Sequence, residues 1–105
     1  MHYNVYISQD ISNKTVMQAV NERTRIFNEY VEHYGSQLYE SELMKDVWYN
    51  QMSKADVVLI PNNYKDNKWT EIEAKIAMAH GMKIYMYKIG DNFVSVDKYN
   101  YTRSN

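Results

Sequence analysis

The sequence contains no cysteine, which excludes disulfide frameworks and thiolate metal sites. With one proline and three glycines, no proline-rich or glycine-rich linker divides its 105 residues, and we interpret residues 1–105 as one domain. Neither sign of charge is in excess, because 12 basic and 13 acidic side chains give a formal net charge of −1. The basic field that sequence-independent binding to a phosphate backbone requires is missing, so no nucleic-acid partner is expected.

No apolar run approaches the about 18 residues that a membrane-spanning helix needs. The first ten residues, MHYNVYISQD, lack the pattern of a secretory signal peptide. We therefore expect a cytoplasmic protein with no membrane partner. Because His2, His33 and His80 show no metal-ligand spacing, we expect no metal and no other cofactor.

Tyrosine is abundant, with 11 residues against two phenylalanines. Each tyrosine joins an apolar ring to a hydroxyl that needs a hydrogen-bond partner, which suits interfaces and half-solvated cavities. Compositional bias explains the count equally well.

Hydrophobic periodicity in the first half of the chain predicts a strand and a long helix. Residues 3–8 (YNVYIS) form a β-rich run, and the polar loop after it offers Asp10, Ser12 and Asn13 as helix caps. A helix is predicted over residues 15–34 and is ended by Gly35. The apolar residues that keep helical spacing are Val16, Val20, Phe27, Tyr30, Val31 and Tyr34.

The second half predicts further alternation of strands and helices. The predicted elements are a short strand within 36–43, a helical segment at 44–55, a strand at 57–60, a helix at 68–80, a strand at 82–89 and an edge strand at 93–99. The run VVLI at 57–60 is continuously apolar, as expected of a strand that is buried on both faces. This order predicts an α/β fold, a small flavodoxin-like (Rossmann-like) three-layer sandwich with a mostly parallel sheet of four to five strands. We expect 57–60 to be the central strand, with 3–8 beside it.

Glu73 is out of place on its predicted helix. At about 100° per residue it shares a stripe with Trp69, Ile72, Ile76, Ala77 and His80, whereas Glu71 and Lys75 form an outward i,i+4 pair. A carboxylate pointing toward a core must be paired, hydrogen-bonded or open to a cavity. Ligands of parallel sheets bind at the carboxyl ends of the strands, where the loops 8–14 and 61–68 converge. We therefore expect Glu73 to be partly buried at this edge, either satisfied structurally or working in a cleft.

The segment from Ser53 to Tyr85 resembles the nucleoside 2-deoxyribosyltransferase superfamily, which includes deoxynucleotide N-hydrolases. The family pattern is an alanine-aspartate before a hydrophobic strand, a polar loop, a glutamate, seven residues and a glycine. Asp56, Glu73 and Gly81 match it in register. Trp69, four residues before Glu73, also resembles the pattern of TIR and TIR-like domains, as does the opening YNVYIS.

The resemblance implies that Glu73 is the catalytic nucleophile at an N-glycosidic bond. It also implies an acidic partner before the central strand, for which Asp46 is the nearest candidate. Two features depart from the family pattern: Lys68, Trp69 and Thr70 replace the usual small residues before the glutamate, and the first loop has no glycine.

The candidate ligand-binding residues lie in or beside the converging loops. They are Ser8, Asp10, Asn62, Asn63, Tyr64 and Trp69. Turn and cap chemistry explains the polar loop residues equally well, and Trp69 is also readable as a core ring that closes the helix onto the sheet.

The predicted function is to bind a nucleoside, nucleotide or NAD-derived ligand, with cleavage or transfer at its N-glycosidic bond through Glu73. The alternatives are a non-catalytic nucleotide-binding or protein-interaction module of the same fold, and a TIR-like module that acts only through oligomer contacts. Because the chain is short and resembles families that complete their sites across subunits, we also expect a homo-oligomer.

Overall fold

A computed structural model of the protein describes residues 2–35, 40–44 and 49–101. The described elements are β1 (His2–Ile7), α1 (Val16–Tyr34), β2 (Glu40–Leu43), a 3₁₀-helix (Tyr49–Lys54), β3 (Val57–Pro61), a 3₁₀-turn (Tyr64–Asp66), α2 (Lys68–Ala79), β4 (Lys83–Ile89) and β5 (Val94–Tyr99). No helix among them has the length and apolar character that crossing a membrane would require.

The five strands form one sheet in the order β2-β1-β3-β4-β5. The strands β1 to β4 are parallel, and β5 pairs antiparallel with β4. The predicted α/β class, the mostly parallel sheet, the central position of β3 and the neighbouring position of β1 are all confirmed. The predicted edge strand is also confirmed, as β5.

β3 is buried over its whole length because helices cover both faces of the sheet. Val57 and Leu59 pack toward α1, where they meet Ile26 and other apolar residues of β1, β4 and β5. Val58 and Ile60 point to the opposite face, against Ala74 and Ala77 of α2 and Met52 of the 3₁₀-helix. This two-sided burial explains why the run VVLI shows no polar alternation.

α1 begins with a capping box rather than with any of the predicted caps. The side chain of Thr15 accepts a hydrogen bond from the Gln18 N–H (3.1 Å), and the side chain of Gln18 accepts one from the Thr15 N–H (2.9 Å). Asp10, Ser12 and Asn13 instead build the turn before the helix, in which Asn13 has a positive φ of 60°. The helix ends at Gly35 as predicted, and a Cβ there would lie 2.5 Å from the Val31 carbonyl oxygen.

The buried face of α1 is not centred on the apolar residues that predicted the helix. The residues buried from this helix are Ile26 and Tyr30, whereas Val16, Val20 and Val31 are exposed. The apolar spacing in the sequence is real, but α1 contacts the sheet through a face rotated from that stripe. Ile26, at the middle of the contact, is not among the residues that define this spacing.

The predicted helical segment at 44–55 is only partly described. Its last part is the 3₁₀-helix Tyr49–Lys54, from which Met52 packs into the core on the α2 side of the sheet. Residues 45–48 lie outside the described part of the chain.

Candidate functional site

The ends of β1, β3 and β4 are tied together at the carboxyl edge of the sheet. The Ser8 N–H donates to the Leu59 carbonyl oxygen (2.9 Å), and the Asn62 N–H donates to the Tyr87 carbonyl oxygen (2.8 Å). These bonds extend the parallel ladder into the two predicted loops and hold them side by side. A cleft of about 240 Å³ opens there and is lined by Asp10, Lys14, Glu22, Pro61, Asn62, Asn63, Asp66, Asn67, Thr70, Tyr87 and Ile89.

Asn67 sets the start of α2 at this cleft. Its side-chain oxygen accepts hydrogen bonds from the N–H groups of Trp69 (2.9 Å) and Thr70 (3.2 Å). The Thr70 hydroxyl in turn donates to the Tyr64 carbonyl oxygen (2.6 Å), which joins the helix to the preceding 3₁₀-turn. The cap thus occupies two of the free N–H groups with which a helix N-terminus could hold an anion.

The buried face of α2 consists of Thr70, Glu73, Ala74 and Ala77. Three of these side chains are small, so the helix lies close to the sheet. Trp69 is exposed, so the interpretation of Trp69 as a core ring is wrong. The predicted outward pair is confirmed, with Lys75 Nζ 3.6 Å from Glu71 Oε1.

Glu73 points inward as predicted and is more deeply buried than expected, with 5% of its surface exposed. Its carboxylate accepts hydrogen bonds from the hydroxyls of Tyr6 and Ser8, the latter at 3.1 Å. Burial raises the pKa of Glu73 above its usual range, and the two hydroxyl donors oppose this shift by stabilising the carboxylate. Glu73 does not itself line the cleft; Thr70, one turn earlier on α2, does.

The cleft contains a lysine that is already engaged. Lys14 Nζ lies 2.8 and 3.0 Å from the two carboxylate oxygens of Glu22 and donates to the Asp10 carbonyl oxygen at 2.8 Å. Gln9 adds a hydrogen bond to the same Glu22 carboxylate, at 3.2 Å. This network joins the loop after β1 to the second turn of α1 and forms one wall of the cleft.

Hydrogen bonds from its own loop hold the Asp10 side chain in place. It accepts hydrogen bonds from the hydroxyl of Ser12 and from the Ser12 N–H, the latter at 3.0 Å. The Ser12 hydroxyl, with the charge of Lys14 as a lesser contribution, lowers the pKa of Asp10. Asp10 therefore presents a carboxylate to the cleft at neutral pH.

Tyr87 reaches the cleft from the far side of β3. Its hydroxyl donates to the Ser8 carbonyl oxygen at 2.6 Å. Burial, together with the carboxylates of Glu22, Glu73 and Asp10, raises the pKa of Tyr87 far above that of a free phenol. Because the Tyr87 hydroxyl donates its proton to the Ser8 carbonyl oxygen, it can only accept hydrogen bonds from a ligand.

The structure brings together three of the six predicted ligand-binding residues, Asp10, Asn62 and Asn63, as lining of the cleft. Ser8 lies beside the cleft, bonded to Glu73. Tyr64 and Trp69 do not line it. Asp46, the candidate acidic partner, lies outside the described residues.

Sequence reasoning did not identify several residues of the cleft as site residues. They are Lys14, Glu22, Pro61, Asp66, Asn67, Thr70, Tyr87 and Ile89. The sequence does contain a signal for Asn67, because an asparagine just before a helical pattern is typical of a helix N-cap. No local pattern points to Glu22 or Tyr87, which enter the cleft from α1 and β4.

A separate cluster of two carboxylates and one histidine lies on α1. Ligand atoms of Glu29, Glu32 and His33 lie within 4.8 Å of one another, and His33 Nε2 is 3.0 Å from Glu29 Oε1. Exposed groups at this helical spacing are common without a metal, so the cluster does not by itself identify a metal site.

Comparisons of the chain with protein-family models, curated proteins and solved structures give no significant match. A function for the protein therefore rests on the chemistry of the cleft itself.

Proposed function

We propose that the protein binds a ligand of the nucleoside, nucleotide or NAD-derived class in the cleft at the carboxyl edge of its sheet. The observation that carries the proposal is the convergence of amide, carboxylate and hydroxyl groups from three separate segments on one cleft of about 240 Å³. Carboxylates such as Asp10 accept hydrogen bonds from the paired hydroxyls of a ribose. The side-chain amides of Asn62 and Asn63 both donate and accept, as the edge of a base requires.

The size of the cleft favours one sugar and one base over a dinucleotide. Pockets that enclose drug-sized ligands have about 300–1,000 Å³, so the volume of the cleft lies just below this range. An NAD-derived ligand would place only part of its length inside.

The charges of the cleft favour the unphosphorylated member of this class. Asp10, Glu22 and Asp66 contribute three carboxylates, whereas Lys14 is the one cation of the lining and is paired with Glu22. The N–H groups of Trp69 and Thr70 at the start of α2 already bond to Asn67. A phosphate would therefore meet net negative charge without a helix N-terminus to compensate for it.

Isothermal titration calorimetry with a panel of nucleosides, their 5′-monophosphates and NAD tests the proposal. We expect a nucleoside to bind, and its monophosphate to bind about tenfold more weakly, a difference of about 1.4 kcal/mol. Asn62→Ala should weaken binding, whereas Asn92→Ala, which removes an exposed asparagine outside the cleft, should not. If no member of the panel binds, the proposal is wrong.

A second candidate function, cleavage of the N-glycosidic bond, is favoured by the environment of Glu73. Its carboxylate is desolvated and held by two hydroxyl donors one helical turn behind the cleft wall. Two bonds leave part of the acceptor capacity of the carboxylate unused. In this reaction a Glu73 carboxylate oxygen bonds to the anomeric carbon while the bond to the base breaks, and the base nitrogen takes the electron pair and then a proton from water. A water molecule then attacks the anomeric carbon, breaks the glycosyl ester and restores the carboxylate. Because Glu73 does not line the cleft, its side chain would have to turn toward the sugar.

Chromatographic detection of free base after incubation with the same panel separates binding from cleavage. If Glu73 is the nucleophile, wild type should release base and Glu73→Gln should not, although the variant still binds the ligand. Glu71→Gln, on the outer side of the same helix, is the matched control and should keep full activity. Binding without any release of base would leave the binding function and reject the cleavage.

A further inference from the structure

The proton donors of the cleft lining are largely used within the protein. All three N–H groups of the Lys14 ammonium donate to protein oxygens, at 2.8 to 3.0 Å. The hydroxyls of Thr70 and Tyr87 donate to backbone carbonyl oxygens, each at 2.6 Å. Among the described lining residues, the side-chain donors left for a ligand are therefore the amides of Asn62, Asn63 and Asn67.

The lining carries an excess of negative charge. Asp10, Glu22 and Asp66 contribute three carboxylates and Lys14 one ammonium, which leaves a formal net charge of −2. The field of the carboxylates reaches the buried side of the cleft, because after burial itself they are what raises the pKa of Tyr87. The cleft therefore favours a ligand that brings positive charge.

Asp66 lies where the proposed function places the base. Its N–H donates to the Asn63 carbonyl oxygen at 2.9 Å, so its carboxylate and the amides of Asn62 and Asn63 belong to one short loop after β3. Asp10 comes from the separate loop after β1 and is bonded to Ser12. The Asp66 carboxylate accepts no hydrogen bond from the described part of the chain, so it is open to a ligand.

We propose that the nucleoside bound in the cleft has a positively charged base, as in an N-alkylated purine or a pyridinium nucleoside, and that Asp66 is the residue that selects it. The inference rests on the proposed function, because it takes the ribose to lie at Asp10 and the base at Asn62 and Asn63. A neutral base would leave the charge of the lining uncompensated, whereas a cationic base places opposite charges side by side. The asparagine amides then bond to the polar edge of the base in either direction.

Cleavage of the N-glycosidic bond, the second candidate function, would also favour a cationic base. When the bond between the anomeric carbon and the base nitrogen breaks, its electron pair goes to the nitrogen. A neutral base then becomes an anion that needs a proton, whereas a cationic base leaves as a neutral molecule. Asp10 and Tyr87 are poor acids at neutral pH, because the lowered pKa of Asp10 keeps it ionised and the raised pKa of Tyr87 keeps its proton in place.

The first experiment compares two pairs of nucleosides by isothermal titration calorimetry at neutral pH. The members of each pair share a ribose and differ in the charge of the base: nicotinamide riboside against its neutral dihydro form, and 1-methyladenosine against adenosine. We expect the cation of at least one pair to bind about tenfold more tightly than its neutral partner, and the pair that shows this identifies the class of base. If cation and neutral partner bind equally in both pairs, nucleoside binding stands and the selectivity proposed for the cleft is wrong. If no nucleoside binds, the selectivity falls together with the proposed function.

The second experiment assigns the preference to Asp66. Asp66→Asn keeps the shape of the side chain and removes its charge, and we expect the preference for the cation to fall to about threefold. Asp97→Asn is the matched control, because it removes the same charge from an exposed residue of β5 outside the cleft and should leave the preference unchanged. Added salt should weaken binding of the cation and not of its neutral partner. A preference that Asp66→Asn leaves intact would contradict the role of Asp66.

Discussion

Glu73 is held by two hydroxyl groups that come from β1 and its end. The hydroxyls of Tyr6 and Ser8 both reach its carboxylate, and burial raises its pKa. The polar atoms of these three side chains all have hydrogen-bond partners, since no buried side-chain nitrogen or oxygen among the described residues lacks one. The two predicted roles of Glu73, a structural carboxylate or a residue that acts in a cleft, are therefore not exclusive. The same hydrogen bonds that satisfy the carboxylate also orient it.

The raised pKa of Glu73 predicts a pH dependence of stability. An acid whose pKa is higher in the folded protein stabilises it fully below the unfolded pKa, and this contribution is lost as pH rises through the folded pKa. We therefore expect the stability of wild type relative to Glu73→Gln to fall as pH rises from about 4, near the usual value for glutamate, toward neutrality. Urea denaturation across this range measures it. A wild-type advantage that grows with pH would contradict the raised pKa.

Tyr6 should contribute to stability through its bond to Glu73. Tyr6→Phe removes one hydrogen bond to a buried carboxylate, and we expect a loss of about 1.5–3 kcal/mol at neutral pH. Tyr101→Phe is the matched control, because its hydroxyl bonds to the neutral carbonyl of Met82 at 2.8 Å. Its loss should be smaller, about 0.5–1.5 kcal/mol. If chemical denaturation gives the two variants equal stability, the Tyr6 bond has no special strength.

At the scale of elements, each of the two described α-helices begins with a cap that short stretches of the sequence supply. The capping box of Thr15 and Gln18 begins α1, and the side chain of Asn67 begins α2. These contacts join residues two or three positions apart, so they belong to short stretches of sequence. The preceding turn, with Asn13 at positive φ, directs the chain from β1 toward the helix.

The capping box should stabilise α1 measurably. Thr15→Ala leaves the Gln18 N–H without its side-chain acceptor, and we expect a loss of about 1 kcal/mol in the free energy of unfolding. Gln18→Ala keeps the Thr15 acceptor and removes only the reciprocal bond, so its loss should be smaller. Thermal and urea unfolding of both variants tests this order. A greater loss for Gln18→Ala would show that the cap does not act as described.

At the scale of the whole molecule, β3 joins two separate apolar clusters. Val57 and Leu59 belong to the cluster under α1, and Val58 and Ile60 to the cluster under α2. Loss of β3 would open both sides of the sheet together. Among the described strands, the edge strand β5 pairs only with β4.

Native-state hydrogen exchange should be slower for the amides of β3 than for those of β5. We expect the amides of Val58 and Ile60 to exchange only by global unfolding, because their strand is paired on both sides and buried on both faces. The amides of β5 should exchange through smaller openings. Slower exchange in β5 than in β3 would contradict β3 as the centre of stability.

The sequence by itself determined the order of the elements, the mostly parallel α/β class and the central place of β3. It also determined that Glu73 faces inward and that the two loops meet at one edge of the sheet. These properties follow from short-range periodicity and from the rules of parallel sheets, which do not depend on how side chains interlock. The turn chemistry of Asp10 and the cap of Asn67 are local in the same sense.

Only the tertiary structure decided which partners these residues meet. The bonds of Glu73 to Tyr6 and Ser8 span 67 and 65 residues, and Tyr87 reaches Ser8 across 79. α1 has apolar residues on two adjacent faces, and its packing on the sheet buries Ile26 and Tyr30 while Met17, Val20 and Val31 stay exposed. Periodicity states that a helix has an apolar face, but the rotation that buries one face and leaves another exposed is set by close packing against the strands.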